Sequence, residues 1–244
     1  MGWMNDTLLY MKEDPLYRKY HHNLLTFSMT YAFSEHYVLP LSHDEVVHCK
    51  GSLLSKMPGD YFWKFANLRL LRGYQMAHPG NKLQFMGGEI GQFTEWNYRQ
   101  QLDWMLLDFE LHRKLQTWFR DMNIFYKENV PLWEDDGSWE GYQWLQPDDC
   151  DNSLIAFRRI GADRRELTVV CNFTPVRREN YRLGVAEAGT YACVLTSDDA
   201  KYGGTGQIMK EAVSEAAEFR EYAHSALFDI PPMSISFFEK KAPL

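Results

Sequence analysis

The sequence predicts an α/β unit followed by an all-β domain with an antiparallel sandwich. In residues 37–86, a short apolar run, a segment with helical periodicity and a second apolar run follow one another. That order is typical of a βαβ unit with parallel strands. Beyond residue 130, short β-rich runs recur at roughly 10–15-residue spacing between turn residues, as in a sandwich. We therefore divide the chain into residues 1–129 and 130–244.

Composition narrows the classes of partner. The 244 residues are 45% hydrophobic and 15% aromatic, with a net charge of −7. The negative charge disfavours nucleic acid as a partner. An acidic, aromatic-rich chain suits a neutral polyhydroxylated ligand better, because sugar rings can stack on aromatic faces, although most aromatic residues fill cores.

The cysteine spacing and the apolar runs bear on localisation. Cys49, Cys150, Cys171 and Cys193 match no zinc or CxxC pattern. Their long spacings favour reduced thiols, hence a cytoplasmic protein. No run of about 20 apolar residues and no secretory signal is visible, so we expect no membrane partner.

The α/β part is predicted element by element. Residues 1–22 read as an irregular loop with short helical pieces, and residues 23–33 as a helix. Strands are expected at 37–41 and 82–86, separated by a loop over 46–60 and a helix over 61–77. Asp60 is the expected N-cap of that helix, and Pro79-Gly80 ends it. A long loop over 90–107 and a helix over 109–126 follow.

The all-β part is predicted from six short runs with β character. They cover residues 142–145, 154–159, 167–172, 181–185, 191–196 and 234–239.

Ionisable residues cluster where the first strand ends. His43, Asp44 and Glu45 follow the apolar run directly, and ligands bind at the carboxyl ends of parallel strands. Taken alone, the run is more often a simple strand-to-loop turn with a local cap.

Several motifs in one order carry a family resemblance. They include Met1-Gly-Trp-Met-Asn-Asp-Thr7, Ser42-His-Asp-Glu45, Met57-Pro-Gly-Asp60, Phe85-Met-Gly-Gly-Glu89, Glu95-Trp-Asn97 and Leu102-Asp-Trp104. Together they resemble the 1,4-α-glucan branching enzymes of the α-amylase superfamily. The resemblance is closest in residues 1–108 and continues more weakly to the C-terminus.

The resemblance implies the C-terminal part of a (β/α)8 barrel followed by the family's β domain. A full barrel takes about 250 residues, so the N-terminal part of the barrel is an expected partner. The family's nucleophilic Asp and general-acid Glu lie on earlier strands, and neither motif is found here. The implied reaction cleaves an α-1,4-glucan and transfers the segment to a glucan 6-hydroxyl in glycogen biosynthesis. It needs no metal or organic cofactor, and the isolated chain is expected to be inactive.

The resemblance also assigns roles to residues. Asp44 matches the carboxylate that stabilises the oxocarbenium-like transition state, and His43 the histidine that binds substrate hydroxyls. Trp96 could stack on a glucose unit and Asn97 could bind a hydroxyl, with loop packing an equal alternative. Cys49 replaces the glycine usual in the family's His-Gly-Lys run.

Several other residues could have a functional role, but packing or solvation also explains them. Glu89 could pair with Asp44 as a retaining couple about 5 Å apart, but the family's cleaving pair lies upstream. His21-His22 is expected to pack structurally, and Lys50 and Lys56 to be solvated. Trp139, Tyr142 and Trp144 are assigned to packing before a sugar platform, and the run 202–206 to a flexible surface turn.

Two other functions stay open. One is a non-catalytic glucan-binding fragment, and the other is part of a related α-amylase-superfamily hydrolase. Part of a barrel leaves unpaired strand edges and an apolar face, so the isolated chain is expected to be poorly soluble.

Overall fold

A computed structural model describes residues 2–241. Five helices, α1 to α5, cover Gly2–Lys12, Asn23–Thr26, Leu53–Lys56, Tyr61–Ala77 and Glu110–Glu128. Strands β1 and β2 cover Val38–Leu41 and Asn81–Gln84. Strands β3 to β10 cover Tyr142–Asp149, Leu154–Ile160, Glu166–Asn172, Arg178–Val185, Thr190–Thr196, Glu211–Glu215, His224–Ile230 and Ser234–Lys240.

Strands β1 and β2 pair in parallel and are joined through α4. In the register of the pair, Leu39 is opposite Lys82 and Leu41 is opposite Gln84. Gln75 on α4 fixes the helix to the pair, because its Nε2 donates to the carbonyls of Leu39 and Leu83 at 2.8 and 2.9 Å. The predicted βαβ unit is therefore confirmed.

Helix α4 begins where the sequence predicts and packs very closely against β10. Asp60 caps it by accepting a 3.0 Å hydrogen bond from the backbone N–H of Trp63. Gly73 lies where the helix crosses β10, and a Cβ there would sit 2.3 Å from Cγ2 of Ile235. Only a glycine lets the helix approach that strand so closely.

Helix α5 lies against α4 through one apolar face. Its buried side chains recur at helical spacing, at Leu115, Trp118, Phe119 and Met122. The indole N–H of Trp118 donates to the Arg69 carbonyl at 3.0 Å, so the largest of these side chains is buried without leaving its polar atom unpaired.

Strands β3 to β10 form one antiparallel sheet in the order β3–β4–β5–β10–β7–β8–β9–β6. The sheet curls so that its two outer strands meet. The hydroxyl of Tyr181 on β6 donates to the carboxylate of Asp149 on β3. The all-β prediction is confirmed, and the closure is nearly that of a barrel.

Strands β5 and β10 contribute side chains to two hydrophobic cores, because successive side chains of a strand point to opposite faces of the sheet. On β5, Val169 and Cys171 pack with α4, whereas Val170 lies inside the curled sheet. On β10, Phe237 and Phe238 divide in the same way. The first core thus contains side chains from both parts of the chain.

Two fully buried arginines join the parts. Arg18 donates to the carbonyls of Met11 and Phe173, both at 2.9 Å, and to Oδ1 of Asn67 at 2.7 Å. Arg159 donates to the carbonyl of Ala77, at the end of α4, at 2.8 Å and forms a 2.6 Å ion pair with Asp136. Since such buried donors need partners, these bonds fix how the sheet sits on the helices.

Some predictions need correction. Residues 2–12 form an 11-residue helix, α1, where an irregular loop was expected. Its buried side chains include Trp3, Met4 and Leu8, so packing stabilises it although its sequence lacks clear amphipathic spacing. Residues 23–30 form short α and 3-10 turns, not one helix, and α3 interrupts the predicted loop. Strands β8 and β9 were not predicted.

Of the barrel implied by resemblance, the described residues contain one parallel strand pair. Within residues 2–241, no helix is both long and apolar enough to cross a bilayer.

Candidate functional site

His43 and Asp44 lie in a single 3-10 turn directly after β1. Nε2 of His43 is 3.3 Å from Oδ1 of Asp44, and each side chain is just over half exposed, at 54% and 53%. Ser42 donates to the other carboxylate oxygen at 3.2 Å. The carboxylate is held in place yet stays open to solvent, as a group that contacts a ligand must be.

Two aromatic rings stand beside this turn. The centroid of the His43 ring is 5.7 Å from that of Phe85 and 6.4 Å from that of Trp96. Phe85 and Trp96 meet edge to face at 5.0 Å. Phe85 directly follows β2, so the carboxyl ends of both parallel strands contribute to one polar and aromatic surface.

The loop after β2 is tied to the loop after β1. Glu95 accepts backbone hydrogen bonds from Gly51 at 2.7 Å and Cys49 at 3.0 Å. These bonds hold the pKa of Glu95 below its ordinary value. The backbone N–H of Trp96 donates to the Val46 carbonyl at 2.8 Å, which fixes Trp96 beside His43.

The side chain of Lys56 holds together the loop that follows β1. Its ammonium donates to the carbonyls of Lys50 and Gly51, both at 2.7 Å, and to that of Glu45. Burial lowers the pKa of Lys56 to about 8. The expectation of a simply solvated lysine was wrong here, because only the folded loop brings the three carbonyls together.

Cys49 has a backbone conformation that favours glycine. Its φ is +66°, in the left-handed region. The family resemblance indicates glycine at this position, and the cysteine holds its side chain there at some strain.

Asn97 lies in an exposed cleft with Trp96. The cleft is about 480 Å³ and is lined by Val47, His48, Glu95, Trp96, Asn97, Tyr98, Arg99 and Gln100. Oδ1 of Asn97 accepts a 3.0 Å bond from the backbone N–H of Arg99. Asn97 therefore stabilises its own loop, and its amide N–H groups are the part that can reach a ligand.

Other residues singled out in the sequence have structural contacts. His22 Nε2 donates to the Pro147 carbonyl at 2.8 Å, and Trp139 packs edge to face on Phe33 at 5.0 Å. Burial lowers the pKa of Arg72 to about 10, and the negative charge of Glu89 opposes part of that shift. These contacts support the packing explanations for His22 and Trp139.

The run 202–206 is a surface turn only in part, because Thr205 and Gly206 are exposed whereas its first residues are buried. Tyr202 is fully buried, packs on Trp118 at 4.9 Å and donates to Asp121 at 3.0 Å. Asp198 accepts the backbone N–H of Thr205 at 2.9 Å. The glycines permit a tight turn that tertiary packing holds.

Within residues 2–241, no three His, Cys, Asp or Glu side chains are grouped so that they could hold a metal ion. All four cysteines are free thiols, Cys49 exposed and Cys171 buried.

Comparison with known proteins places this architecture in a class. Residues 144–241 match the family described as "Alpha amylase, C-terminal all-beta domain". Among solved structures, an alpha-amylase from H. orenii superposes with a TM-score of 0.58 at 17% identity, covering 98% of this chain and 48% of that one. A cyclomaltodextrinase superposes at 0.53 and 16% identity, covering 82% and 29%. At such identities the likeness concerns the fold, which is that of the α-amylase class.

Sequence relatives define the family. The 1,4-alpha-glucan branching enzyme GlgB of Halothermothrix orenii is 55% identical over 98% of this chain and 38% of its own length. The corresponding enzyme of Aquifex aeolicus is 50% identical over 98% and 38%, and that of Bacillus mycoides 51% over 97% and 37%. The chain belongs to the 1,4-α-glucan branching enzyme family, as a C-terminal portion, and spans about 38% of those relatives' length.

Proposed function

We propose that this chain supplies the Asp44 side of the active site in a 1,4-α-glucan branching enzyme. The whole enzyme would cleave an α-1,4-glucan, hold the segment covalently and transfer it to a glucan 6-hydroxyl. The observation that carries the proposal is the placing of His43 and Asp44, half exposed at the carboxyl end of a parallel strand, in a chain 55% identical to a branching enzyme.

The proposed role of Asp44 follows from charge. Positive charge develops on the sugar as the glycosidic bond breaks, and a fixed carboxylate nearby stabilises it. The Ser42 hydroxyl and the His43 ring hold the Asp44 carboxylate, at 3.2 and 3.3 Å. His43 would bind a substrate hydroxyl, and the flat indole of Trp96 would take one face of a glucose unit. Asn97 would donate its amide to a hydroxyl.

Exposed apolar side chains on and beside β1 and β2 support the proposal that other strands complete a barrel. Val38, Leu83 and Met86 are 47%, 40% and 52% exposed, which is unusual for apolar side chains on or beside parallel strands, since parallel sheets are normally covered on both faces. The remaining strands of a (β/α)8 barrel would cover them and pair with the free edges of β1 and β2. We place the domain boundary at residues 129 and 130, after α5.

Glucan specificity, glycogen synthesis and a cytoplasmic location belong to the same proposal. In support of the location, the four thiols are free. A glucan-binding fragment without catalysis is the second candidate, favoured by the exposed aromatic cleft around Trp96. A catalytic role would require the nucleophile and general acid from the missing part of the barrel.

Fragment complementation tests the proposal. The chain is co-expressed with the remaining N-terminal part of the H. orenii relative, and α-1,6 bonds formed in amylose are measured by the fall in iodine colour and by enzymatic debranching. We expect branching from the complemented pair and none from either part alone. Branching by this chain alone would overturn the assignment of the cleaving pair to the other part.

Two other outcomes of the same experiment would favour the alternative functions. A purified pair that assembles and binds amylose but forms no α-1,6 bonds would favour the glucan-binding fragment. A pair that instead shortens amylose by hydrolysis would favour a hydrolase of the same superfamily.

A further inference from the structure

The ammonium of Lys56 uses all of its hydrogens inside the loop that follows β1. It donates to the main-chain carbonyls of Glu45, Lys50 and Gly51. An ammonium has three donors and no acceptor, so this set of partners is complete. Glu45 lies at the start of the loop and Gly51 near its end, so one charged group joins the two ends of the loop.

The bond to Glu45 acts on the turn that holds the proposed catalytic carboxylate. Asp44 directly precedes Glu45 in the 3-10 turn after β1. The turn is closed by a 3.0 Å hydrogen bond from the backbone N–H of Val46 to the His43 carbonyl. Because Lys56 holds the carbonyl at the end of this turn, a movement of its ammonium is passed to the peptide groups on either side of Asp44.

One peptide group of the loop is held from both of its ends. The carbonyl of the peptide between Lys50 and Gly51 accepts from Lys56 at 2.7 Å, and its N–H donates to Glu95 at 2.7 Å. Both hydrogen bonds are charge-assisted, which is the stronger kind in proteins. The ammonium and the carboxylate therefore fix the peptide that follows the Asp44 turn at both ends of its dipole.

Lys56 reaches these carbonyls from a firm base. Helix α3 is capped by Ser52, whose hydroxyl oxygen accepts from the backbone N–H of Ser55 at 3.0 Å. Leu53 and Leu54 of the same helix are buried in the first core. A group can hold another in place only if its own attachment is fixed by packing and hydrogen bonds, and Lys56 meets that condition.

Four charged side chains face Lys56 from the elements around it. They are Lys12 at the end of α1, Glu45 and Lys50 in the loop after β1, and Glu95 in the loop after β2. Glu45 and Lys50 pair with each other at 3.3 Å. Burial lowers the pKa of Lys56 to about 8, the two lysines add to that fall, and the two carboxylates oppose it.

We propose that Lys56 is a positioning residue for Asp44, and that it holds the Asp44 turn only while its amine carries a proton. A neutral amine has two donors and a lone pair, so at least one of the three carbonyls would lose its hydrogen bond. The role of Asp44 rests on the proposed function, whereas the hold on the turn rests on the contacts of Lys56 alone. The inference adds a proton-dependent control to the Asp44 site.

Deprotonation of Lys56 acts on the loop and does not destabilise the whole fold. Lysine has an ordinary pKa of 10.5, which is above the value of about 8 in the folded chain. Between these two values the unfolded chain binds more protons at this residue, so its contribution to stability rises with pH there. A loss of activity over this range that depends on Lys56 is therefore a local effect.

Branching by the chain complemented with the N-terminal part of the H. orenii relative tests the inference. We expect the kcat of the parent to fall as the pH rises through about 8. Lys56→Met should lower kcat about tenfold at pH 7 and leave KM for amylose nearly unchanged, because displacing a catalytic group costs rate more than binding. The alkaline fall in kcat should be absent from this variant.

Two further variants separate positioning from general support of the loop. Lys56→Arg keeps a positive charge that is not lost in this pH range, so we expect it to recover most of the rate and to retain it above pH 8. Lys64→Met is the matched control. Lys64 also donates to carbonyls of α3, those of Ser55 and Met57, but to none in the Asp44 turn, so kcat and its pH profile should match the parent.

Deuterium exchange of the same assemblies at pH 7 gives a measurement that does not need catalysis. The amides of Glu45 and Val46 form the hydrogen bonds of the turn. We expect both to exchange faster in Lys56→Met than in the parent or in Lys64→Met, and the Lys56→Arg assembly to resemble the parent.

The inference is overturned if a branching assembly with Lys56→Met has the parent's kcat at pH 7, or if Lys64→Met loses as much rate. An alkaline fall in kcat that persists in Lys56→Met also contradicts it. An assembly that never branches, yet exchanges faster at Val46 in Lys56→Met, would remove the proposed function and leave the hold on the turn standing. No branching and unchanged exchange at Val46 would overturn both.

Discussion

Oε1 of Glu95 accepts a 2.7 Å hydrogen bond from the backbone N–H of Gly51. This bond and its partner to Cys49 join two loops that follow neighbouring parallel strands. One loop carries Trp96, and the other is continuous with the turn that holds His43 and Asp44. The Glu95 carboxylate thus sets the spacing of the two loops that carry the proposed glucan contacts.

Replacing Glu95 by Ala should loosen the connection between these two loops. We expect the backbone amides of Cys49 and Gly51 to exchange faster with deuterium, and Trp96 fluorescence to shift towards that of an exposed indole. Glu128→Ala, at the exposed end of α5, is the control. Unchanged exchange at Gly51 in Glu95→Ala would show that the loop is held by other contacts.

The hydrogen bonds from Cys49 and Gly51 to Glu95 should also depend on pH. Because the folded-state pKa of Glu95 is lowered, its contribution is present above the ordinary value near 4.5 and is lost as the pH falls through the lowered pKa. Exchange at Gly51 should therefore rise in the parent as the pH falls through that lowered pKa. In Glu95→Ala the exchange, corrected for its intrinsic pH dependence, should show no such step.

Cys49→Gly should stabilise the chain. The cysteine holds a φ of +66°, which costs a residue with a Cβ about 1–2 kcal/mol relative to glycine. We expect the free energy of unfolding to rise by about 0.5–1 kcal/mol in urea, because glycine also gains entropy in the unfolded chain. Cys49→Ala retains the strain and should show no gain. A gain in Cys49→Ala equal to that in Cys49→Gly would assign the effect to the thiol.

Gly73→Ala should destabilise the contact of α4 with β10. The new Cβ would meet Cγ2 of Ile235 at 2.3 Å, and overpacking of this kind costs about 1–3 kcal/mol. Ile235→Ala removes that methyl, so the double variant should be less destabilised than the sum of the two single ones. Additive effects in urea denaturation would contradict the close approach.

His78 should make the fold acid-sensitive. Its Nδ1–H donates to the Pro79 carbonyl at 2.8 Å, so Nε2 accepts from the Ser28 hydroxyl at 2.9 Å. Burial lowers the pKa of His78 to about 3 from 6.5. The unfolded chain therefore binds more protons between pH 3 and 6.5, and stability falls as the pH falls through this range.

The slope due to His78 is at most about 1.4 kcal/mol per pH unit. His78→Gln keeps a donor and an acceptor but does not titrate. Urea midpoints at pH 4.5, 5.5 and 7 should fall less steeply for His78→Gln than for the parent. Parallel slopes would show that other groups, chiefly carboxylates, control the acid response.

Sequence periodicity was sufficient where local and tertiary preferences agree. Helix α4 has a capping Asp60, an apolar face and a Pro79 stop, and its bounds agree with the prediction. Strands β4 and β5 are mostly buried, and each contains an apolar stretch, over residues 154–157 and 169–171. Helix α1 was missed because its stability comes from burial of Trp3 and Met4 by distant residues.

The candidate site was predictable in part. A strand followed by His43 and Asp44 pointed to its position, and the structure places both at that strand end. The hydrogen bonds of Glu95 and Lys56 were not predictable, because each joins a side chain to main-chain atoms, in one case 46 residues away. Strand β8 was missed because it is short and largely exposed, and so lacks the apolar signal that marks a strand.

The central claim is that Asp44 stabilises the transition state of glucan transfer. Its most direct test is Asp44→Asn in the chain complemented by the N-terminal part of the H. orenii relative, with branching rate and amylose binding measured on the same preparation. We expect the rate to fall by roughly 100-fold or more, as removal of a transition-state contact does, while assembly and amylose binding persist. Asp163→Asn, an exposed carboxylate on the β4–β5 turn, should branch at the parent rate. An Asp44→Asn assembly that branches as fast as Asp163→Asn would contradict the account.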